Sequence, residues 1–291
     1  MEYFAQQFIN AVQLGSIYAL IALGYAMVYG VLSMINFAHG DVFMLGAFAC
    51  LLLTRWVTPP FPVVLVAAMG ATAIVGILIE RLAYRPLRGA PKASAIITAL
   101  SCGLVIQNTT LSLSPYPQPM PAILANTTHQ VAGVSISSIQ IEIIVISIGL
   151  MVGLDLLIRR TFFGISMRAI SFDHTSVPLM GVPVNRIISL TFAIGAALGG
   201  AAGLLYGLAY PVVGATMGML VGWKAFVAAV VGGIGNIRGA VLGGFILGLV
   251  EIMSVAVLPS TYRDLIAYSL LLVILIFKPY GLLGSAPNQK V

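Results

Sequence analysis

The segment IISLTFAIGAALGGAAGLLYGLAY, residues 187–210, decides the fold class of this chain. It carries no charged residue, consists largely of aliphatic side chains, Gly and Ala, and stops before Pro211. About 20 such residues, coiled as a helix, cross the ~30 Å hydrocarbon layer of a bilayer. Its glycines let neighbouring helices approach closely. The pattern recurs on either side. No Asp, Glu, Lys or Arg occurs between Arg55 and Glu80, between Lys92 and Glu142, or between Arg186 and Lys224. Of the 291 residues 60% are hydrophobic and 8% charged, against about 25% charged in a soluble domain. Such a chain cannot build a charged, water-facing surface. It reads as an all-α, polytopic transmembrane helix bundle, one domain over 1–291.

Apolar runs mark the spans at 8–32, 42–57, 63–83, 94–113, 138–158 and 187–210, then at 216–258 with an interruption, and at 265–284. Eight crossings are expected, or nine if 216–235 spans rather than dips. Arg81, Arg85, Arg88 and Lys92 form one basic loop, and Arg159, Arg160, Arg168 and Arg186 another. The positive-inside bias puts both in the cytoplasm. Alternation then places the N-terminus outside and, with Lys278 and Lys290, the C-terminus inside. The 114–137 segment falls outside; its prolines at 115, 117, 119 and 121 favour extended chain over helix.

A net charge of +6 with a pI near 9.5 does not indicate nucleic-acid binding. The basic residues sit between spans, and no segment is long enough to make a folded basic face. Cys50 and Cys102 lie in apolar stretches and read as small hydrophobes, not a disulfide. His39, His129 and His174 are too scattered for a metal site. The start Met1-Glu2-Tyr3 has no basic n-region, so a removable signal peptide is not expected. The twelve methionines read as packing residues.

Two Gly-rich, polar interruptions stand out, Gly30 to Asp41 and Gly232 to Gly244. Matching breaks in two halves are the trace of a repeated transporter core with discontinuous helices near a substrate path. Glycines that merely permit tight packing would look the same. Both readings stay open.

These interruptions also carry a family resemblance. Gly24-Tyr25-Ala26-Met27-Val28-Tyr29-Gly30, followed by Met34-Ile35-Asn36-Phe37-Ala38-His39-Gly40-Asp41, resembles the N-terminal signature of the high-affinity branched-chain amino-acid ABC permeases. Lys224-Ala225-Phe226 with Gly232-Gly233-Ile234-Gly235 and Gly239-Ala240 resembles that family's second signature. The likeness continues through Glu80-Arg81, Tyr84-Arg85-Pro86 and the closing Pro279-Tyr280-Gly281. It implies a type II-like importer permease in a bacterial-type inner membrane, surrounded by lipid and paired with a second, homologous permease. Two cytoplasmic ATPases and a periplasmic or extracellular substrate-binding protein complete the implied assembly. No Gly-x-x-x-x-Gly-Lys-Ser/Thr phosphate loop occurs in the sequence, so ATP is expected on partner subunits and no cofactor on this chain. A permease for urea, short amides or other polar solutes is the alternative within the superfamily. A standalone channel or carrier is a reading from another class. An enzyme finds no support, for want of paired carboxylates or a Ser/His/Asp set.

Candidate residues fall into two groups. Asn36, His39, Gly40 and Asp41 at the first break, with Lys224, Gly232 and Gly233, are candidates for the translocation path. Ionisable groups at membrane depth mark pathways by default. Yet Asp41 precedes an apolar run as a helix N-cap does, and His39 and Asn36 suit hydrogen bonds to a broken backbone. Lys224 either lines the path or snorkels to an interface. Glu251 needs an inward-facing partner, and Glu80-Arg81 reads as an interfacial pair. The second group lies in the 159–186 loop, where Gly164, Arg168, Ala169 and Gly181 resemble the family's cytoplasmic coupling segment. This loop has room for one or two short helices, with Asp173 or Thr175 as a cap and a break near 175–178 at Pro178.

Overall fold

The computed structural model describes residues 2–131, 133–173 and 176–284. Helix α1 (Glu2–Leu32) descends the whole bundle, and α2 (His39–Thr54) follows a non-helical link. Next come α3 (Phe61–Ile79), a π turn at Glu80–Tyr84, and α4 (Lys92–Leu113). Short strands β1 (Gln118–Pro119), β2 (Thr128–Val131) and β3 (Val134–Ser137) lead to α5 (Ser138–Arg160) and the small α6 (Phe162–Phe172). The chain continues through α7 (Val184–Ala209), β4 (Val212–Val213), α8 (Met217–Gly232), α9 (Ile237–Val257) and α10 (Arg263–Phe277). Thr175, Lys290 and His174 lie outside the described residues.

Among the described residues seven helices are long and apolar enough to cross a membrane. Eight or nine crossings were expected, and the difference lies in α2 and α8. Each has 16 residues, about 24 Å of helix, short of the ~30 Å hydrocarbon layer. The segment 42–57 is therefore a half-helix, short of a full span by itself. So is the first half of 216–258.

Burial orders the bundle. The hydrophobic windows of α1 and α7 are 89% and 83% buried, whereas that of α10 is 6% buried. The Gly- and Ala-rich segment first quoted thus becomes one of two central helices, its small side chains allowing α2 and α3 to press against it. The outer helices keep apolar side chains exposed, such as Val66, Leu104, Val145 and Leu272, as lipid or a partner subunit requires.

Polar contacts define two ends. The backbone N–H of Ser135 donates to Gln6 Oε1 at 2.9 Å, which puts the N-terminus beside the 114–137 segment. At the other end Arg88 donates to Asn185 Oδ1 at 2.5 Å, tying the two basic loops together. Glu80 lies beside this tie. Its carboxylate is fully buried and receives Arg85 at 2.9 Å, Ser189 Oγ at 2.6 Å, and Arg88. Arg81, its expected partner, is exposed. The π turn rotates Arg81 outward and brings the arginines five and eight residues on into reach. In a background lacking Cys50 and Cys102, a cysteine at Gly89 is expected to react with an impermeant maleimide only from the cytoplasmic side, and one at Gln118 only from outside. Labelling of position 118 from the cytoplasm would invert the topology.

Candidate functional site

Helix α1 ends at Ser33, the one non-Gly residue with positive φ (+53°) among the described residues. Residues 34–38 then run back into the bundle. Tyr84 Oη donates to the Ile35 carbonyl at 2.9 Å, and Asn36 Oδ1 accepts from the Ala38 N–H at 3.2 Å. Asn36 thus satisfies the broken backbone. Asp41 is not an N-cap: Ala38 holds that place without a side-chain bond, and Asp41 lies in the first turn of α2. The helix starts three residues before the position its apolar run suggests.

His39 is 1% exposed and meets Tyr25 edge-on, ring centroids 4.8 Å apart. It wedges between Gly24 of α1 and Gly199 of α7; a Cβ at Gly24 would strike the imidazole. Its place is inside the packing between these helices. Gly40 has a different neighbour. A Cβ there would stand 2.9 Å from Gly222 Cα and run into the Gly218 carbonyl oxygen. Gly218 and Gly222, one turn apart on α8, make a bare stripe across which α2 lies.

The chain breaks between α8 and α9 within the 232–244 motif, and a further discontinuity falls at 210–216, between α7 and α8. Gly232 and Gly233, taken from sequence as path candidates, sit at the far end of α8. There Gly233 adopts φ +113° in the turn to α9, and the N–H groups of Leu282 and Leu283 donate to Val231 and Gly232 carbonyls at 2.9 Å. That turn lies about 21 Å along α8 from Gly218. The helix does break at the Gly-rich motif, but to close a hairpin. Reading glycine density alone could not separate a hairpin turn from a mid-bundle crossing; the Gly218/Gly222 spacing with Pro211 upstream was the available signal.

Where the N-termini of α2 and α8 meet, a cleft of about 220 Å³ opens. Phe37, Tyr25, Leu104, Gln107 and Trp223 contribute its walls and Asp41 its only acidic group. Sequence reasoning missed Tyr25, Gln107 and Trp223.

Lys224 neither snorkels freely nor lines this cleft. Its Nζ binds Glu251 Oε1 at 2.8 Å and Asp264 Oδ1 at 2.6 Å. Glu251, fully buried on α9, also receives Arg263 at 2.5 Å and the Tyr18 hydroxyl at 2.8 Å. Two cations and two carboxylates thus make a neutral set, the condition under which charges persist inside a bundle.

At the end of the bundle that carries the two basic loops, α5 turns sharply into α6. Thr161 caps α6, and a Cβ on Gly164 would collide with the Ile158 backbone, so only glycine fits this elbow. Arg168 Nη1 donates to the Ile158 carbonyl at 2.6 Å, answering one of the orphan carbonyls at the end of α5. Ala169 is half-buried. Helix α6 ends at Phe172. Asp173 then accepts from Ser176 N–H at 3.2 Å and Oγ at 2.7 Å, leading into a 3-10 turn over Val177–Met180. Gly181 terminates that turn at φ +80°. Pro178 sits in its first positions, where proline is tolerated. The buried side of α6 is Gly164, Met167 and Ile170, while Phe162, Ile165 and Phe172 are exposed, as are Leu179 and Met180 beyond them. An apolar stripe thus faces outward at this end, a feature the attention to Arg168 overlooked.

Comparison with known proteins follows the same outline. Residues 7–275 match the family model "Branched-chain amino acid transport system / permease component". The high-affinity branched-chain amino acid transport system permease protein BraD of Pseudomonas aeruginosa is 42% identical, covering 99% of this chain and 98% of that one. The corresponding LivH of Escherichia coli K12 is 38% identical over 99% and 98%. Among solved structures, PsaBC from Streptococcus pneumoniae in complex with Fab aligns with 94% of this chain and 91% of that one, at 16% identity and a TM-score of 0.46. With one family model spanning all but the two ends, and relatives above 30% identity over nearly the whole length, the chain belongs to the permease-component family of branched-chain amino acid transport systems.

Proposed function

We propose that this chain is the membrane-spanning permease subunit of an ATP-driven importer of branched-chain and related neutral amino acids. It is a transport subunit rather than an enzyme, and it works with a second, homologous permease, two cytoplasmic ATPases and a substrate-binding protein on the outer side of the inner membrane. The observation that carries the reading is the crossing of two half-helices, α2 and α8, inside the bundle. Discontinuous helices that meet at membrane depth place backbone dipoles beside a solute instead of sealing them in hydrogen bonds. Asn36, His39, Gly40 and Asp41 build that crossing.

The ATPase contact belongs to α6 and the 3-10 turn after it. Apolar side chains exposed outside the hydrocarbon mark a protein interface, and the Gly164 elbow joins α6 rigidly to α5. The Ile165→Glu and Phe172→Glu changes are expected to leave insertion intact and abolish ATPase co-purification and uptake together. Arg168→Glu should weaken both as well, through loss of the bond to Ile158 that holds the elbow. Assembly and uptake at the unaltered rate in all three variants would move the coupling surface elsewhere. The subunit assignment itself is tested in vesicles: the chain alone should be inert, and the assembled importer should take up leucine only with ATP. Transport by the isolated chain would replace this reading with that of a standalone carrier.

A further inference from the structure

Asp41 is 8% exposed, and its Oδ1 takes no hydrogen bond. No Lys or Arg among the described residues pairs with it. Lys224, the cation on α8, turns away to Glu251 and Asp264. An unpaired carboxylate in a low-dielectric site is strongly unfavourable. Here the N-termini of two half-helices temper its charge, since each presents a partial positive pole. Gly218 lies so close that a Cβ there would stand 2.9 Å from Asp41 Oδ1. These poles offset the charge without filling its lone pairs. The side chain borders the cleft between α1, α2, α4 and α8, so the group best able to complete it is a small cation arriving through that cleft.

The opposite need is present on the same floor. The N–H groups of Gly218 and Met219, in the first turn of α8, meet no backbone acceptor among the described residues, as expected of a helix N-terminus. Both residues line the cleft. Donors for a carboxylate thus lie beside an acceptor for an ammonium. Apart from Gln107, the remaining walls are apolar and aromatic: Tyr25, Phe37, Leu100, Leu104 and Trp223. A free α-amino acid with an apolar side chain has these three requirements.

We propose that the crossing is a binding site for a zwitterionic amino acid, in which Asp41 receives the ammonium group, the α8 amides receive the carboxylate, and the aromatic wall receives the side chain. The proposal rests on the reading of the chain as an amino-acid permease and adds the atoms that recognise the substrate. Asp41 then does more than a first-turn carboxylate does for its helix. Asn keeps the size of the side chain but cannot pair with a cation, so Asp41→Asn tests the ammonium contact without opening a void.

The test uses the assembled importer in nanodiscs without its binding protein, with Cys50 and Cys102 replaced by serine and a single cysteine at Met219. Leucine is expected to protect that cysteine from maleimide. Its deaminated analogue 4-methyl-2-oxopentanoate, which keeps the carboxylate and side chain, is expected to protect poorly. In the Asp41→Asn variant about 10- to 100-fold more leucine should be needed for half protection, the range for losing one charge-assisted hydrogen bond. No protection by saturating leucine overturns the site, and so does equal protection by the analogue. Both of these comparisons use native Asp41 and do not depend on the variant folding. Unchanged protection in a folded Asp41→Asn variant removes Asp41 from recognition. Leucine uptake by the unmodified importer with its binding protein is measured in parallel: uptake without site protection sinks only this proposal, whereas no uptake sinks the permease reading beneath it.

Discussion

Replacing Glu251 by alanine is expected to cost about 3–5 kcal/mol of stability, the loss that follows when one member of a buried ionic set is removed. Glu251 is fully buried and is the shared acceptor of Lys224, Arg263 and Tyr18. Without it, Lys224 keeps only Asp264, itself 62% exposed at its side chain, and Arg263 loses its only ion-pair partner among the described residues. The damage should concentrate on α10. Ala267 is the only buried residue of that helix, so packing contributes little to its attachment. It is held at one end by the charge set and at the other by backbone bonds from Leu282 and Leu283 to α8. Hydrogen exchange in nanodiscs should therefore show residues 263–277 losing protection first, with thermal unfolding of the whole bundle shifted down. Making the site apolar by combining Glu251→Leu with Lys224→Met and Arg263→Met should recover much of the loss, because no buried charge is then unpaired. If Glu251→Ala changed stability by less than about 1 kcal/mol, the cluster would be hydrated like a surface set.

How much of this was legible beforehand depends on the kind of signal. The bundle itself is written in composition and in runs such as 187–210, because only helices satisfy their backbone inside lipid. The elbow between α5 and α6 was legible in outline, since basic residues and Pro178 mark a loop with short helices. The membrane-depth geometry was not. The largely apolar, 16-residue α2 looks like a short span, and only the fold reveals that it starts inside the bundle at His39. Glycines at 232–233 and at 218–222 are indistinguishable by composition, yet one pair closes a hairpin and the other carries a helix crossing. Ion pairing was half legible. Glu251 demanded a partner, but its partners lie on α8 and α10, where no local spacing connects them. Glu80 illustrates the same limit at short range, because the π turn alters which arginine faces it.

Gly40→Leu is expected to abolish uptake, by more than about 100-fold, while leaving membrane insertion unchanged, because the substitution only raises hydropathy. What a side chain at this position meets decides the size of the effect. The Cβ alone would stand 2.9 Å from Gly222 Cα and push against the Gly218 carbonyl oxygen. Both are backbone atoms of α8 and cannot rotate away, so α2 and α8 must separate along their crossing. That separation moves Asp41 away from the first turn of α8 and opens the cleft wall at Trp223. Overpacking of this kind costs about 1–3 kcal/mol, so the variant should also unfold at a lower temperature. Gly222→Leu, pressing on the same contact from the other helix, should reproduce both effects. Gly149→Leu is the control, since nothing lies within 4 Å of a Cβ there and it should insert, assemble and transport normally. Gly40→Ala grades the response: a single methyl already meets the contact, and partial uptake in that variant would measure how far the crossing can open before transport stops. Full uptake by Gly40→Leu would mean that the two half-helices tolerate separation and that solute passes elsewhere.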